Sequence, residues 1–220
     1  MEKFLPILRN SALFSGIAEE EILSLLSCME AKVRRYGKGE YVLRQGDFLP
    51  DIAVLLEGSL HIQSEDYWGN RSILGHIPVG EIFGESYAFS HEEPLMNEVI
   101  SIENSAVLFI NAKKVLSACA SACHFHTRTE QNLFTVLSEK NRKLVQKLGH
   151  IGKRSTREKL ISYLSQESKK QKNADIRIPF NRQQLADFLS VDRSAMSYEL
   201  CKMRDEGLLT FHKNAFRLLS

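Results

Sequence analysis

The sequence predicts an α+β chain in three parts: a β-roll of jelly-roll type, a long helix, and a C-terminal winged helix-turn-helix. Three observations predict it. From about Val33 to Ile110, short apolar runs alternate with glycine-centred turns roughly every ten residues, the texture of an all-β barrel or sandwich. From Phe134 to Ile151, apolar residues step by three and four, which is helical spacing. From Asn181 to Glu206, two short amphipathic segments flank the tight turn Ser190-Val191.

Composition sets the outer limits. The chain has 220 residues, 43% hydrophobic and 25% charged, which matches globular proteins and excludes disordered and collagen-like classes. No run approaches eighteen apolar residues, and MEKFLPILRN interrupts with charge and proline where a secretion signal needs an apolar core, so a cytoplasmic protein is expected. The four cysteines, 28, 119, 123 and 201, form no CxxC pair and read as reduced thiols. Residues 1–149 hold 15 Lys+Arg against 19 Asp+Glu, a charge of −4, whereas residues 150–220 hold 14 against 8, a charge of +6. A basic tail domain on a mildly acidic body points to a polyanion, with nucleic acid first.

The elements follow in order. The first thirty residues read as helical, with Ile22, Leu25, Leu26 and Met29 on one face. Strands are predicted at Tyr41–Leu43, Ile52–Leu56, Leu60–Ile62, Ile73–Ile77 and Ala106–Ile110, with turns at Gly37-Lys-Gly39, Gly46, Gly58, Gly69-Asn70 and Gly80. After Asn111 the turn residues vanish. Phe134, Leu137, Asn141, Leu144, Leu148 and Ile151 then form a coiled-coil seam, with Glu139, Lys140, Arg142 and Lys143 outside it. The single Asn141 in that seam favours a parallel homodimer, because Asn pairs with itself in register. Gly149-His-Ile-Gly152 is predicted to end the helix, and Ser155-Thr-Arg-Glu158 is a capping box for the next, whose apolar face is Leu160, Ile161 and Leu164. Gln166–Asp175 reads as a polar loop and Ile176–Phe180 as a short strand. The expected domains are 1–122, a β-roll with N-terminal helices; 123–149, a dimerisation helix; and 150–220, a winged helix-turn-helix.

Residues 181–206 carry the chemistry. The first helix, Gln183–Leu189, packs through Leu185, Ala186 and Leu189; Asp192 caps the second, whose inner face is Met196, Leu200 and Met203. Arg193, Ser194, Ser197 and Tyr198 point outward near the helix start, where a reading helix meets base edges. Arg193 can donate two bonds to guanine, the serines can bond bases or phosphates, and Tyr198 can reach the backbone or stack. Arg182, just before the first helix, reads as a phosphate contact, and Lys202 completes the DNA-binding set. Leu208–Phe211 and Ala215–Leu219 form a hairpin wing around His212-Lys-Asn214. The bland alternative is a helical hairpin that only packs.

LFSGI near position 13, KGEYVLRQGD at 38–47, LLEGSLHI at 55–62, VGEIFGE at 79–85 and SVDRSAMSYELCKM at 190–203 together resemble the cyclic-AMP receptor protein/FNR (Crp/Fnr) family of bacterial transcription regulators, over essentially the whole chain. The resemblance implies a cyclic-nucleotide-binding-type β-roll whose occupancy rotates DNA-binding domains through the dimer helix, and RNA polymerase as a partner. Gly84 and Glu85 match the family's ribose-facing pair. Leu95 and Met96 stand, in a gapless reading, where cyclic-AMP binders place Arg-Ser for the cyclic phosphate, and Leu144 and Val145 stand where the helix would meet the base. An apolar pair cannot compensate a buried phosphate, so the expected effector is something other than cyclic AMP, or none, and no cofactor is expected. In the reading helix Arg193 keeps the first position, while Ser194 and Tyr198 replace a Glu and a second Arg, which implies a different operator. Ser190 stands where glycine is common.

Other readings are weaker. Cys119, Cys123 and His126 would share one helical face if a single helix ran through them, with His124 alongside, as in a metal or redox sensor. The resemblance places the two cysteines on different helices. His61 and His76 read as strand residues. No GxxxxGK[ST], HExxH, GxSxG or strand-linked GxGxxG occurs, so no enzyme is predicted. A signalling module acting through protein contacts is the second functional class; steep salt dependence of binding separates DNA from protein.

Overall fold

The structure, a computed structural model, describes residues 1–65, 67–68, 71–90, 93–117 and 124–219. The chain divides into two compact units, 1–137 and 138–220. The division falls within the long helix, not at either end of it.

The first unit opens with 3-10 turns at Glu2–Phe4 and Ala12–Phe14 and helices α1 (Leu5–Asn10) and α2 (Glu19–Cys28). Strands β1 (Lys32–Tyr36), β3 (Asp51–Glu57), β6 (Ile82–Phe83) and β8 (Ser105–Asn111) form one antiparallel sheet in the order β1-β8-β3-β6. Strands β2 (Tyr41–Leu43), β4 (Leu60–Glu65), β5 (Arg71–Ile77) and β7 (Glu98–Ser101) form the other, in the order β2-β7-β4-β5. Two short helices, α3 (Glu85–Ala88) and α4 (Ala112–Leu116), follow β6 and β8.

Why β3 and β8 are unbroken apolar runs is visible in the packing. Their even-numbered residues, Ile52, Val54, Leu56, Ala106, Leu108 and Ile110, join Leu8, Phe14, Ile22 and Leu25 in a core beneath the N-terminal helices. Their odd-numbered residues, Ala53, Leu55, Val107 and Phe109, join Val42, Leu60, Ile77 and Phe83 in a second core. A strand covered on both faces cannot alternate with polar residues. Gly58 makes the β3–β4 turn at φ +91°, and a Cβ there would collide with Ser105 and the Asn104 carbonyl.

Three strands escaped the sequence reading or were only brushed by it. β1 is the edge strand KVRRY, with three exposed cationic side chains; β6 has two residues; β7 starts with Glu98. None has enough apolar residues to stand out from its neighbours.

The long helix α5 runs His124–Ile151, so Gly149 lies inside it. One glycine costs a helix only about 1 kcal/mol, too little to end it without a following break. Leu133 and Val136 bury against the first core, with Leu137 packed partly beside them. Asn132 donates to the carbonyls of Leu13 and Ser15 at 3.0 and 2.8 Å, tying the N-terminal segment to α5.

The second unit holds α6 (Thr156–Gln171), β9 (Asp175–Arg177), α7 (Arg182–Leu189), α8 (Arg193–Asp205), β10 (Leu209–His212) and β11 (Ala215–Leu218), with a sheet ordered β10-β11-β9. Ser155 accepts from the Glu158 N–H at 3.2 Å, and Glu158 accepts from the Ser155 N–H at 3.2 Å, as the capping-box spacing requires. Three expectations are corrected. The polar stretch from Gln166 is helix as far as Gln171, because its Glu, Lys and Gln side chains favour helix and nothing breaks it before Lys172 turns to φ +51°. The face of α6 in the core is Leu160, Tyr163 and Leu164, with Ile161 exposed. The strand ends at Arg177 and not Phe180, since Pro179 has no N–H to extend a ladder.

Candidate nucleic-acid interface and effector site

Apolar spacing alone sets the helix pair. Leu185, Ala186 and Leu189 of α7 and Met196, Leu200 and Met203 of α8 are all buried in one core with Leu160, Leu164 and Phe216. The turn between them is held by Ser190 at φ +51°, a left-handed conformation that glycine would adopt more cheaply. Asp192 accepts the Ala195 N–H at 2.8 Å and so caps α8, and Asn181 accepts the Gln184 N–H at 2.9 Å to cap α7.

Burying that stripe turns the opposite face of α8 outward. Arg193, Ser194 and Lys202 are exposed, and Tyr198 is 73% exposed. Ser197 is only half-buried, and its hydroxyl donates to the Arg193 carbonyl at 2.9 Å, so it reaches a base only as an acceptor or by leaving that bond.

Arg182, expected to contact phosphate, meets two aromatic rings. Its guanidinium lies 4.7 Å from the Phe211 ring centre and 4.9 Å from that of Phe216, and burial lowers its pKa. It therefore fastens the start of α7 to the β10–β11 hairpin. Beside it, Pro179–Arg182, Gln184, Lys213 and Asn214 line a concavity of about 430 Å³ between that helix start and the hairpin turn. Lys213, at the turn and exposed, is a cation that the sequence reading named only as loop; its place next to the α7 N-terminus appears only after folding.

In the β-roll, Gly84 at φ +79° starts α3, and a Cβ would come within 2.5 Å of Leu49 Cδ2. Glu85 is buried. The pair expected side by side at the phosphate corner is divided: Leu95 is 4% exposed and Met96 is 70% exposed. Leu95 joins the core between the sheets with Phe83, Val99 and Tyr87, while its N–H donates to the Asp47 carbonyl and its carbonyl accepts from Gly46, both as strand-like bonds. Met96 faces solvent, and its backbone N–H donates to the Tyr87 hydroxyl at 3.4 Å. On α5, Leu144 and Val145 are exposed.

Phe134, Leu144 and Leu148, three members of the coiled-coil seam, are likewise exposed, as is Asn141; Leu137 and Ile151 are half-buried. Cys119 and Cys123 lie outside the described residues, as does the His124 side chain, so the shared face proposed for them with the buried His126 has no described geometry. Among the described residues no group of three or more His, Cys, Asp or Glu could hold a metal ion, and no helix is long and apolar enough to cross a membrane. His61 and His76 face each other across β4 and β5 with ring centres 5.8 Å apart, as ordinary cross-strand neighbours.

Residues 33–122 match the cyclic nucleotide-binding domain model, and residues 158–220 match the Crp-like helix-turn-helix domain model. The two matched domains together make the chain a DNA-binding transcription regulator. It belongs to the Crp/Fnr family.

Among solved structures, CprK complexed with OCPA is similar over 90% of this chain and 89% of that one, with 14% identity and a TM-score of 0.67. The c-di-GMP responsive global regulator CLP of Xanthomonas campestris covers 90% of this chain and 99% of its own, with 18% identity and a TM-score of 0.57. The catabolite activator protein of Thermus thermophilus covers 95% and 94%, with 19% identity and a TM-score of 0.51. The curated relatives of human and mouse named cGMP-dependent protein kinase 2 are 26% identical over 110 residues, half of this chain. The chain spans 14% of their length, and what it shares with them is the binding domain alone.

Proposed function

We propose that the chain works as a homodimer joined through the exposed stripe of α5, reads a near-palindromic operator with α8, communicates with RNA polymerase, and does so in the cytoplasm without catalysing a reaction. The observation that carries this reading is the two-faced α8: a fully buried Met196/Leu200/Met203 stripe opposite an exposed Arg193/Ser194/Tyr198 face. Phe134, Leu144, Val145 and Leu148 supply the second half, because an apolar stripe along one helix is stabilised when a copy of itself covers it.

The effector, if any, is not cyclic AMP bound through its phosphate in the usual mode. Leu95 offers that anion no charge, and its buried side chain belongs to the core. Proteins of this fold carry names with different ligands, OCPA for CprK and c-di-GMP for CLP, so the fold leaves the effector open. Selection of bound duplexes from a random pool, with and without cell extract, tests the whole reading. The expected product is two inverted half-sites about one helical turn, roughly 10 bp, apart. Recovery of no common sequence in either condition overturns it.

A further inference from the structure

The geometry points to Arg157 and Lys159, on the first turn of α6, as positioning residues that fix the tilt and rotation of the reading helix; this rests on the DNA-reading role of α8 proposed above. Arg157 Nε donates to Glu199 Oε1 at 2.5 Å, and its two Nη groups donate to the two Glu206 carboxylate oxygens at 2.6 and 2.9 Å. The guanidinium thus holds α8 in its middle and at its C-terminal cap. Those two anchors are seven residues apart, about 10 Å along a helix axis, and two separated points resist tilting where one would act as a pivot. Lys159 Nζ donates to the carbonyls of Leu189 and Ser190, both at 3.2 Å, and so holds the end of α7 and the strained left-handed turn that leads into α8.

The need for directional anchors follows from what packs beneath α8. Two of its three buried residues are Met196 and Met203, unbranched and adaptable side chains that fill space without specifying one orientation. A forked guanidinium on carboxylates has a fixed geometry and supplies the missing direction. Glu199 and Arg157 are partly sheltered, with 19% and 30% of the side chain exposed, so solvent competes less there than at an open surface pair, while Glu206 is exposed and is held by the two-pronged geometry. Neither cation needs to touch DNA for this role.

The test uses the full chain, the duplex obtained by selection and a random duplex of equal length. Arg157→Gln and Glu206→Gln are each expected to weaken the selected complex about tenfold, leaving the random complex and its salt slope unchanged, because a misplaced reading helix loses base contacts and not phosphate contacts. Glu206→Gln is the decisive variant. It removes an anion from a DNA-binding unit, so if the network only tunes charge, both duplexes bind tighter. Tighter binding, unchanged selected affinity, or equal loss on both duplexes with a shallower salt slope each overturns the proposal. Should Arg157→Gln fail to fold by thermal melting, Arg157→Lys keeps the charge without the fork; it is expected to show the same selective loss, and wild-type affinity would overturn the assignment. Amide exchange of α8 without DNA is expected to quicken in each folded variant. A wild-type chain that ignores duplex sequence overturns the DNA-reading role, and unchanged exchange in that case overturns the positioning role by itself.

Discussion

Arg193 and Arg182 carry the same charge and stand eleven positions apart, yet the fold gives them different work. Arg193 is exposed at the first residue of α8, with no ring or carboxylate partner among the described residues. Its replacement by Ala is expected to cost on the order of 1–3 kcal/mol on the selected duplex and to relax choice at one base pair, measured by competition binding against single-base variants. Equal losses on selected and random duplexes would remove it from the reading role. Arg182, stacked on Phe211 and Phe216, is expected to behave as a hairpin fastener. Arg182→Ala should lower the thermal midpoint of the C-terminal unit, and Arg182→Lys should restore only part of it, since a point charge does not stack as a planar guanidinium does. A variant with an unchanged midpoint but uniformly weaker DNA binding would return Arg182 to the phosphate-contact role read from the sequence.

At the scale of the element, α5 carries two apolar stripes. The inner one, Leu133 and Val136, packs in the first core, and the outer one, Phe134, Leu144 and Leu148, is exposed. Leu144→Glu with Leu148→Glu is therefore expected to give folded monomers by sedimentation, with operator binding lost. Leu137 is a poorer probe because it packs partly against the core. A doubly charged variant that stays dimeric would place the interface elsewhere.

The end of the same helix predicts a pH effect. His150 is buried, bonded through Nδ1 to Ser162 Oγ at 2.8 Å and set edge-on to Tyr163. Burial lowers its pKa, with Lys153 acting in the same direction and Gln166 and Glu167 opposing. The unfolded chain therefore takes up the proton first. The stabilisation by neutral His150 is complete above about pH 6.5 and falls as pH drops through that value, by at most about 1.4 kcal/mol per pH unit. Denaturation midpoints between pH 7.5 and 5.5 should show a slope that shrinks in His150→Phe; an equal slope in both would show that His150 does not titrate between the states.

For the molecule as a whole, the acidic body and the basic tail remain the broadest argument for a polyanionic partner. Calorimetry is expected to show no binding of cyclic AMP below millimolar concentration and no change in operator affinity when it is added. Micromolar binding that tightens the operator complex would mean that another residue compensates the phosphate, since Leu95 cannot.

Much of this was legible in the chain. Glycine-centred turns marked the β-roll, and the spacing of Leu185, Leu189, Met196 and Leu200 with the Asp192 cap marked the helix pair, because periodicity and capping are local properties written in neighbouring residues. Local rules failed where a residue's partner is distant. KVRRY is a strand only because β8 pairs with it, and Leu95 and Met96 look equivalent until one enters the core and the other meets water. The links from Arg157 to Glu199 and Glu206 span 42 and 49 positions. By itself the sequence determined the class of fold and the helix pair of the C-terminal unit. Tertiary structure alone decided that Arg182 stacks on Phe211 and Phe216, that Arg157 of α6 bonds Glu199 and Glu206, and that Lys159 bonds the turn between α7 and α8, because a charge or an aromatic face acts on whatever the fold brings within a few ångströms of it.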